Sequence, residues 1–173
     1  MTASISKTAA NRPKASRQRS AARLAAVQAL YQMELSPATA SLAVDQITCL
    51  EGQGRRGDGL DRDALVEPDP EFLEELVAGV DAKRSELDII IAELLTADWE
   101  VGRLEILLRL ILEAGLYEMT ARPDIPPRVI ITEYVDVAHA FFSGPEPGLV
   151  NGILDRSAHR FRADEIGAQG KAG

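Results

Sequence analysis

Apolar residues along this chain recur at helical spacing, and no segment shows the period-two alternation that marks a strand. The first pattern runs from about Ser16 to Leu35, with Leu24, Val27, Tyr31 and Leu35 on one predicted inward stripe. Ser36-Pro37 ends it, because a residue before proline is pushed out of the helical region. A second helix is predicted over 38–50, with Leu42, Ile47 and Leu50 turned inward. The stretch 51–68 is rich in glycine and charge and reads as a surface loop. Asp69-Pro70-Glu71 then opens a helix: a capping aspartate, a proline in the first turn, and acids suited to the positive end of the dipole. Phe72, Leu73, Leu76, Val77 and Val80 carry its stripe, and Leu87, Ile90, Ile91, Leu94 and Leu95 continue it, with a bend or a new start near Gly79.

The densest stripe lies in 103–121 (Leu104, Leu107, Leu108, Ile111, Gly115, Leu116, Met119) and predicts a central helix. Glu105, Arg109 and Glu113 are spaced there for exposed i,i+4 pairs. After the stiff connection at 122–127, a helix is predicted with Ile130, Tyr134, Val137 and Phe141 inward and Glu133 and Asp136 outward. A last helix spans about 148–162, packing through Leu149, Ile153, Leu154 and Phe161. The reading is all-α, about seven helices. It divides the chain into a flexible basic arm over 1–16, a helical domain over 17–163 and a flexible tail over 164–173.

Composition narrows the class. In 173 residues, 46% hydrophobic content supports a substantial core. The single cysteine, Cys49, cannot form an internal disulfide, so a reducing, cytoplasmic setting is expected, with Cys49 as a small core residue. Cys49 with only His139 and His159 is too poor a set for a zinc site, and no run of about 18 apolar residues suggests a membrane span. No nucleophile elbow, P-loop or dinucleotide fingerprint is present, so neither catalysis nor a cofactor is expected.

Charge changes the picture most. Residues 1–33 hold six basic side chains (Lys7, Arg12, Lys14, Arg17, Arg19, Arg23) and no acid. Beyond them 13 Lys and Arg face 27 Asp and Glu, a net of −14. A basic segment on an acidic body is the footprint of a polyanion site, with repulsion keeping nucleic acid off the rest. An acid-free, Ser/Ala-rich start also suits an organellar transit peptide, but the stripe running through Glu34 into the body argues for a folded element. Four phosphate contacts to a single strand would give log affinity a slope of about −0.7 × 4 in log salt. The expected contacts are Lys14, Arg17, Arg19 and Arg23, with Gln28 and Tyr31 on the same helix able to bond or stack on a base. The competing reading is a helical protein-binding scaffold with a solubilising basic arm.

Four segments sharpen this. Arg23–Tyr31 (RLAAVQALY), Gly115–Met119 (GLYEM), Pro126–Glu133 (PPRVIITE) and Leu149–Asp155 (LVNGILD) occur in an order and spacing that resembles the NusB family of bacterial transcription antitermination factors. The likeness covers about 17–160. It implies two roughly perpendicular helical bundles, pairing with NusE (a small-subunit ribosomal protein), and binding of single-stranded box A RNA within the RNA polymerase antitermination complex. It also supports Arg17, Arg19, Arg23, Gln28 and Tyr31 as RNA contacts. The family's Lys and aromatic before the last helix are replaced by Gly148 and Leu149, which puts an RNA contact by the loop 143–149 in doubt. A related domain precedes some RNA cytosine methyltransferases, but 173 residues leave no room for a methyl-donor domain, so that reading is not expected unless the chain is a fragment. Monomer and homodimer both remain open.

Overall fold

A computed structural model describes residues 12–54, 66–96 and 99–168. Among them the chain forms seven α-helices and no strand: α1 (Lys14–Leu35), α2 (Ala40–Gly54), α3 (Pro70–Leu94), α4 (Ile106–Ala121), α5 (Pro127–Phe141), α6 (Glu146–Phe161) and α7 (Ala163–Ala168), with a 3₁₀ turn at Val101–Arg103. Helices α1–α3 pack on one another, α4–α6 do the same, and α4 joins the groups by lying against α1, α3, α5 and α6. The all-helical expectation holds. Helix α1 begins at Lys14, inside the expected arm, and α7 occupies the start of the expected tail. The rest of the arm (1–11), most of the expected loop (55–65) and the end of the tail (169–173) lie outside the described residues.

The start of α3 follows its sequence. Asp69 Oδ1 accepts the Phe72 N–H at 3.1 Å, Pro70 fills the first turn, and Glu71 adds the favourable charge. The expected break near Gly79 is absent, and α3 runs unbroken for 25 residues. Gly79 serves close approach instead: a Cβ there would overlap the ring of Tyr117 on α4. Gly115 does the same for Leu154 of α6, whose methyls lie 2.9 and 3.0 Å from where a Cβ would be.

Helix α1 is turned differently from expectation. Its buried residues are Ala22, Arg23, Ala25, Ala26, Val27, Ala29 and Leu30, so small alanines bring the backbone close to its neighbours. Of the expected stripe, Val27 is buried and Leu24 half-buried, while Tyr31 is 38% and Leu35 65% exposed. Helix α2 packs through Ala43, Val44 and Ile47, and Leu42, Leu50 and Cys49 are exposed, which corrects the core assignment of all three. Phe141 and Phe161 are likewise exposed rather than core residues.

Helix α4 is the centre of the core, buried at Leu108 and from Leu110 through Met119. It starts at Ile106, after the 3₁₀ turn, rather than at 103. Ile111 is wholly buried, so Ile111→Asp is expected to unfold the domain: an unpaired buried carboxylate costs several kcal/mol, about the whole stability of such a fold. A circular dichroism melt checks it, and a variant melting with the wild type would overturn the assignment. Within the same span Glu113 and Glu118 are wholly buried, and on α5 Glu133 is buried too. The expectation that Glu113 and Glu133 face water is therefore corrected. Each finds an arginine inside the fold.

Candidate nucleic-acid interface

The N-terminal half of α1 lies over the α4–α5 connection and the first turns of α3 and α5. At about 100° per residue, α1 sorts its polar side chains onto two faces. Lys14, Arg17, Gln28 and Tyr31 fall within about 100° of one another, on a ridge roughly 25 Å long. Lys14, Gln28 and Tyr31 are exposed there, and Arg17 is half-buried with its Nε covered and without a hydrogen bond. Arg19 and Arg23 lie on the other face. They line a cleft of about 240 Å³ with Ser16, Asp124, Pro126, Val129 and Glu133. The expected contacts Arg19, Arg23, Gln28 and Tyr31 are therefore divided between two faces of α1.

Arg23 has a structural setting. It is 2% exposed. Its Nε and Nη2 donate to the two oxygens of Glu118 at 2.9 and 2.5 Å, and its Nη1 donates to Glu133 at 3.2 Å. Burial works against its charge, but the hydrogen bonds to Glu118 and the surrounding electrostatics of Glu118, Tyr134 and Glu133 together outweigh it and hold the pKa above the ordinary arginine value. The wholly buried Tyr134 completes the cluster, and burial beside Glu118 keeps its phenol protonated far above the usual range. The expectation that Arg23 is an exposed RNA contact is thus corrected. A phosphate would have to displace two carboxylates inside the core to reach it.

Arg12, at the start of the described chain, donates to the other oxygen of Glu133 at 2.7 Å. That bond ties the last of the arm to α5 and to Arg23. Across the cleft, Arg122 grips Asp124 with two bonds of 2.8 Å and reaches Glu75 of α3 at 2.5 Å. The Arg122 bonds hold the Asp124 carboxyl down at about 2, so it is charged at any ordinary pH. Arg162, buried at the end of α6, braces this connection from behind by donating to the carbonyls of Pro123 and Ile125 at 3.0 and 2.7 Å.

Arg19 stands apart from these pairs. Among the described residues it has no carboxylate within ion-pair distance and no hydrogen-bond acceptor, although it lines the cleft. On α1 the basic groups open to an incoming anion are Lys14, Arg17 and Arg19. In the first turn of α6, Gly148 is exposed and Leu149 packs partly into the core, so neither offers a charge or an aromatic ring. Among the described residues no cluster of His, Cys, Asp or Glu is placed to hold a metal, and no helix is long and apolar enough to cross a membrane.

Sequence reasoning missed Glu118, Glu133, Arg122 and Phe72, on which the site rests. A signal existed for the glutamates: Glu118 lies between Leu116 and Met119, and Glu133 sits at i+3 from Ile130 and i−4 from Val137. Carboxylates in core register require a buried cation.

Known proteins share this architecture. A family model for the NusB family matches residues 20–159. Proteins named transcription antitermination protein NusB from Brucella ovis and Rhizobium rhizogenes are each 42% identical to the chain, over 159 and 151 residues. These alignments cover 92% and 87% of this chain and 91% and 92% of the relatives. The solved structure of T. maritima NusB superposes with a TM-score of 0.66 at 26% identity, covering 86% of this chain and 96% of that one. A chain in the crystal structure of a plectonemic RNA supercoil shares the fold at a TM-score of 0.65 and 20% identity, over 91% and 99% of the two chains. With most of its length matched by the family model and by these relatives, the chain belongs to the NusB family.

Proposed function

We propose that this NusB-family transcription antitermination protein binds single-stranded box A RNA along α1, paired with NusE, as part of the RNA polymerase antitermination complex. The reading is one of binding rather than catalysis. The observation that carries it is the unpaired basic set Lys14, Arg17 and Arg19, grouped at one end of α1 on a body whose remaining charge is strongly negative. Gln28 and Tyr31 extend the ridge with a hydrogen-bonding amide and an exposed ring, suited to unstacked bases. The cleft beside Arg19 has apolar walls in Pro126 and Val129 and is roomy enough to receive part of a nucleotide. Few basic groups are open along α1, so the protein alone binds modestly, and a basic partner such as NusE extends the cationic surface.

The test is titration of labelled single-stranded box A RNA into the full chain, with and without NusE. Changing Lys14, Arg17 and Arg19 together to alanine is expected to weaken binding at least tenfold while circular dichroism stays unchanged. The salt slope should become shallower by roughly 0.7 for each phosphate that is no longer neutralised. NusE should raise the wild-type affinity. A folded triple variant with wild-type affinity and slope would leave α1 a solubilising element, and equal affinity with and without NusE would remove the partner from the reading.

A further inference from the structure

Three guanidinium groups converge on one aromatic ring. The Cζ atoms of Arg19, Arg23 and Arg122 lie 5.6, 5.2 and 5.2 Å from the centroid of Phe72, which is 4% exposed on the first turn of α3. Like charges gathered this closely need compensation. Arg23 has Glu118 and Glu133, and Arg122 has Asp124 and Glu75. Among the described residues Arg19 forms no ion pair or hydrogen bond; the electron-rich ring and the more distant charge of Asp124, which shares the cleft, hold it.

The ring is itself fixed in place. Asp69 caps α3 through the Phe72 N–H, and the Asp69 N–H donates to the Gln18 carbonyl at 3.1 Å. That bond joins the start of α3 to α1 one residue before Arg19. A long, flexible arginine side chain is thereby kept beside a rigid platform at the cleft, with its hydrogen-bond donors unspent.

We infer that Phe72 is a positioning residue, whose ring orders the Arg19 guanidinium to meet an RNA phosphodiester entering the cleft. The inference rests on the RNA-binding reading above and adds to it a residue that touches no RNA. Arg23 and Arg122 neutralise nearby carboxylates, which spares Arg19 a competing ion pair. Phe72 supplies what a carboxylate could not: attraction that restrains the cation without spending its charge.

The test is a double-mutant cycle in the full chain, read by titration of labelled single-stranded box A RNA at one fixed salt concentration. Arg19→Ala is expected to lower affinity about tenfold. Phe72→Leu, which keeps an apolar side chain but removes the ring, should lower it about three- to tenfold, in keeping with the strength of cation–π interactions. The double variant should bind no more weakly than Arg19→Ala alone, and Phe72→Tyr should stay within twofold of wild type. A merely structural role for Phe72 would give additive losses and no rescue by tyrosine, and that result overturns the inference. If Phe72→Leu does not fold, Phe72→Met carries the same comparison. In wild-type protein the Arg19 δ protons should show an upfield ring-current shift, and ordinary shifts would also overturn the placement. Failure of the RNA reading is distinguishable, because there the Lys14/Arg17/Arg19 triple variant itself keeps wild-type affinity.

Discussion

Arg23→Ala is expected to cost about 3–5 kcal/mol, enough to unfold much of the population of a domain stable by about 5–15 kcal/mol. The loss does not come from deleting a favourable interaction alone. Removing the guanidinium leaves Glu118 wholly buried without its bidentate partner, and leaves Glu133 with only the half-exposed Arg12. Glu118 cannot reach water and Glu133 meets it only at the cleft, and a buried charge stripped of its partner is far more costly than the pair it belonged to. Arg23→Lys keeps the charge but not the fork, so it should recover only part of the stability. The combination Arg23→Met, Glu118→Gln, Glu133→Gln should be much closer to wild type than Arg23→Ala, because no buried charge is left unpaired. Urea denaturation followed by circular dichroism measures all three. An Arg23→Ala protein as stable as wild type would show that the cluster does not hold α1 to α4 and α5. This outcome also bears on function: RNA binding lost in Arg23→Ala would report an unfolded protein and not a missing phosphate ligand.

How far the sequence can be read depends on what each residue needs. The cap of α3 is legible because Asp69, Pro70 and Glu71 act within one turn, whatever packs against them. The stripe over 103–121 is legible because six large apolar groups and Gly115 leave little choice of face. Helix α1 misleads for the opposite reason. Its larger residues Tyr31 and Leu35 suggest one stripe, but the core instead takes the alanine face, where backbones approach closely and Arg23 meets two glutamates from α4 and α5. That choice depends on partners about 95 and 110 positions away in sequence, which no local pattern contains. The basic character of the N-terminal region is plain, yet the division of labour within it is not: Arg23 organises the core, while Arg19 remains open at the cleft. Gly79 reads as a possible break because its neighbour Tyr117 is visible only in three dimensions.

The second large effect concerns pH. Glu113 is wholly buried between α1, α3 and α4, with Arg109 Nε donating to one oxygen at 2.8 Å and Arg84 Nε 3.8 Å from the other. Asp88 of α3 shares Arg109 at 3.5 Å, and Glu34 of α1 takes a hydrogen bond from Arg84, so both cations are divided among acids. Burial therefore outweighs the two arginines and pushes the Glu113 carboxyl up to about 7. Its ordinary value is about 4.5, so the folded state holds this proton more tightly than the unfolded chain does. The resulting stability is fully present below about 4.5 and is lost as pH rises through about 7, by about 3 kcal/mol in all. Asp136, raised by burial and by Glu133, has the same sign, so the Glu113 share must be isolated by substitution. Glu113→Gln removes the titration while keeping a hydrogen-bonding side chain of the same size. Unfolding free energies measured by urea titration at several pH values from 5 to 8 should fall for the wild type and stay nearly level for Glu113→Gln. The variant should be the more stable of the two at pH 8, where the wild type carries the buried charge. Parallel curves across that range would mean that Glu113 is ionised throughout and that Arg84 and Arg109, rather than desolvation, decide its state.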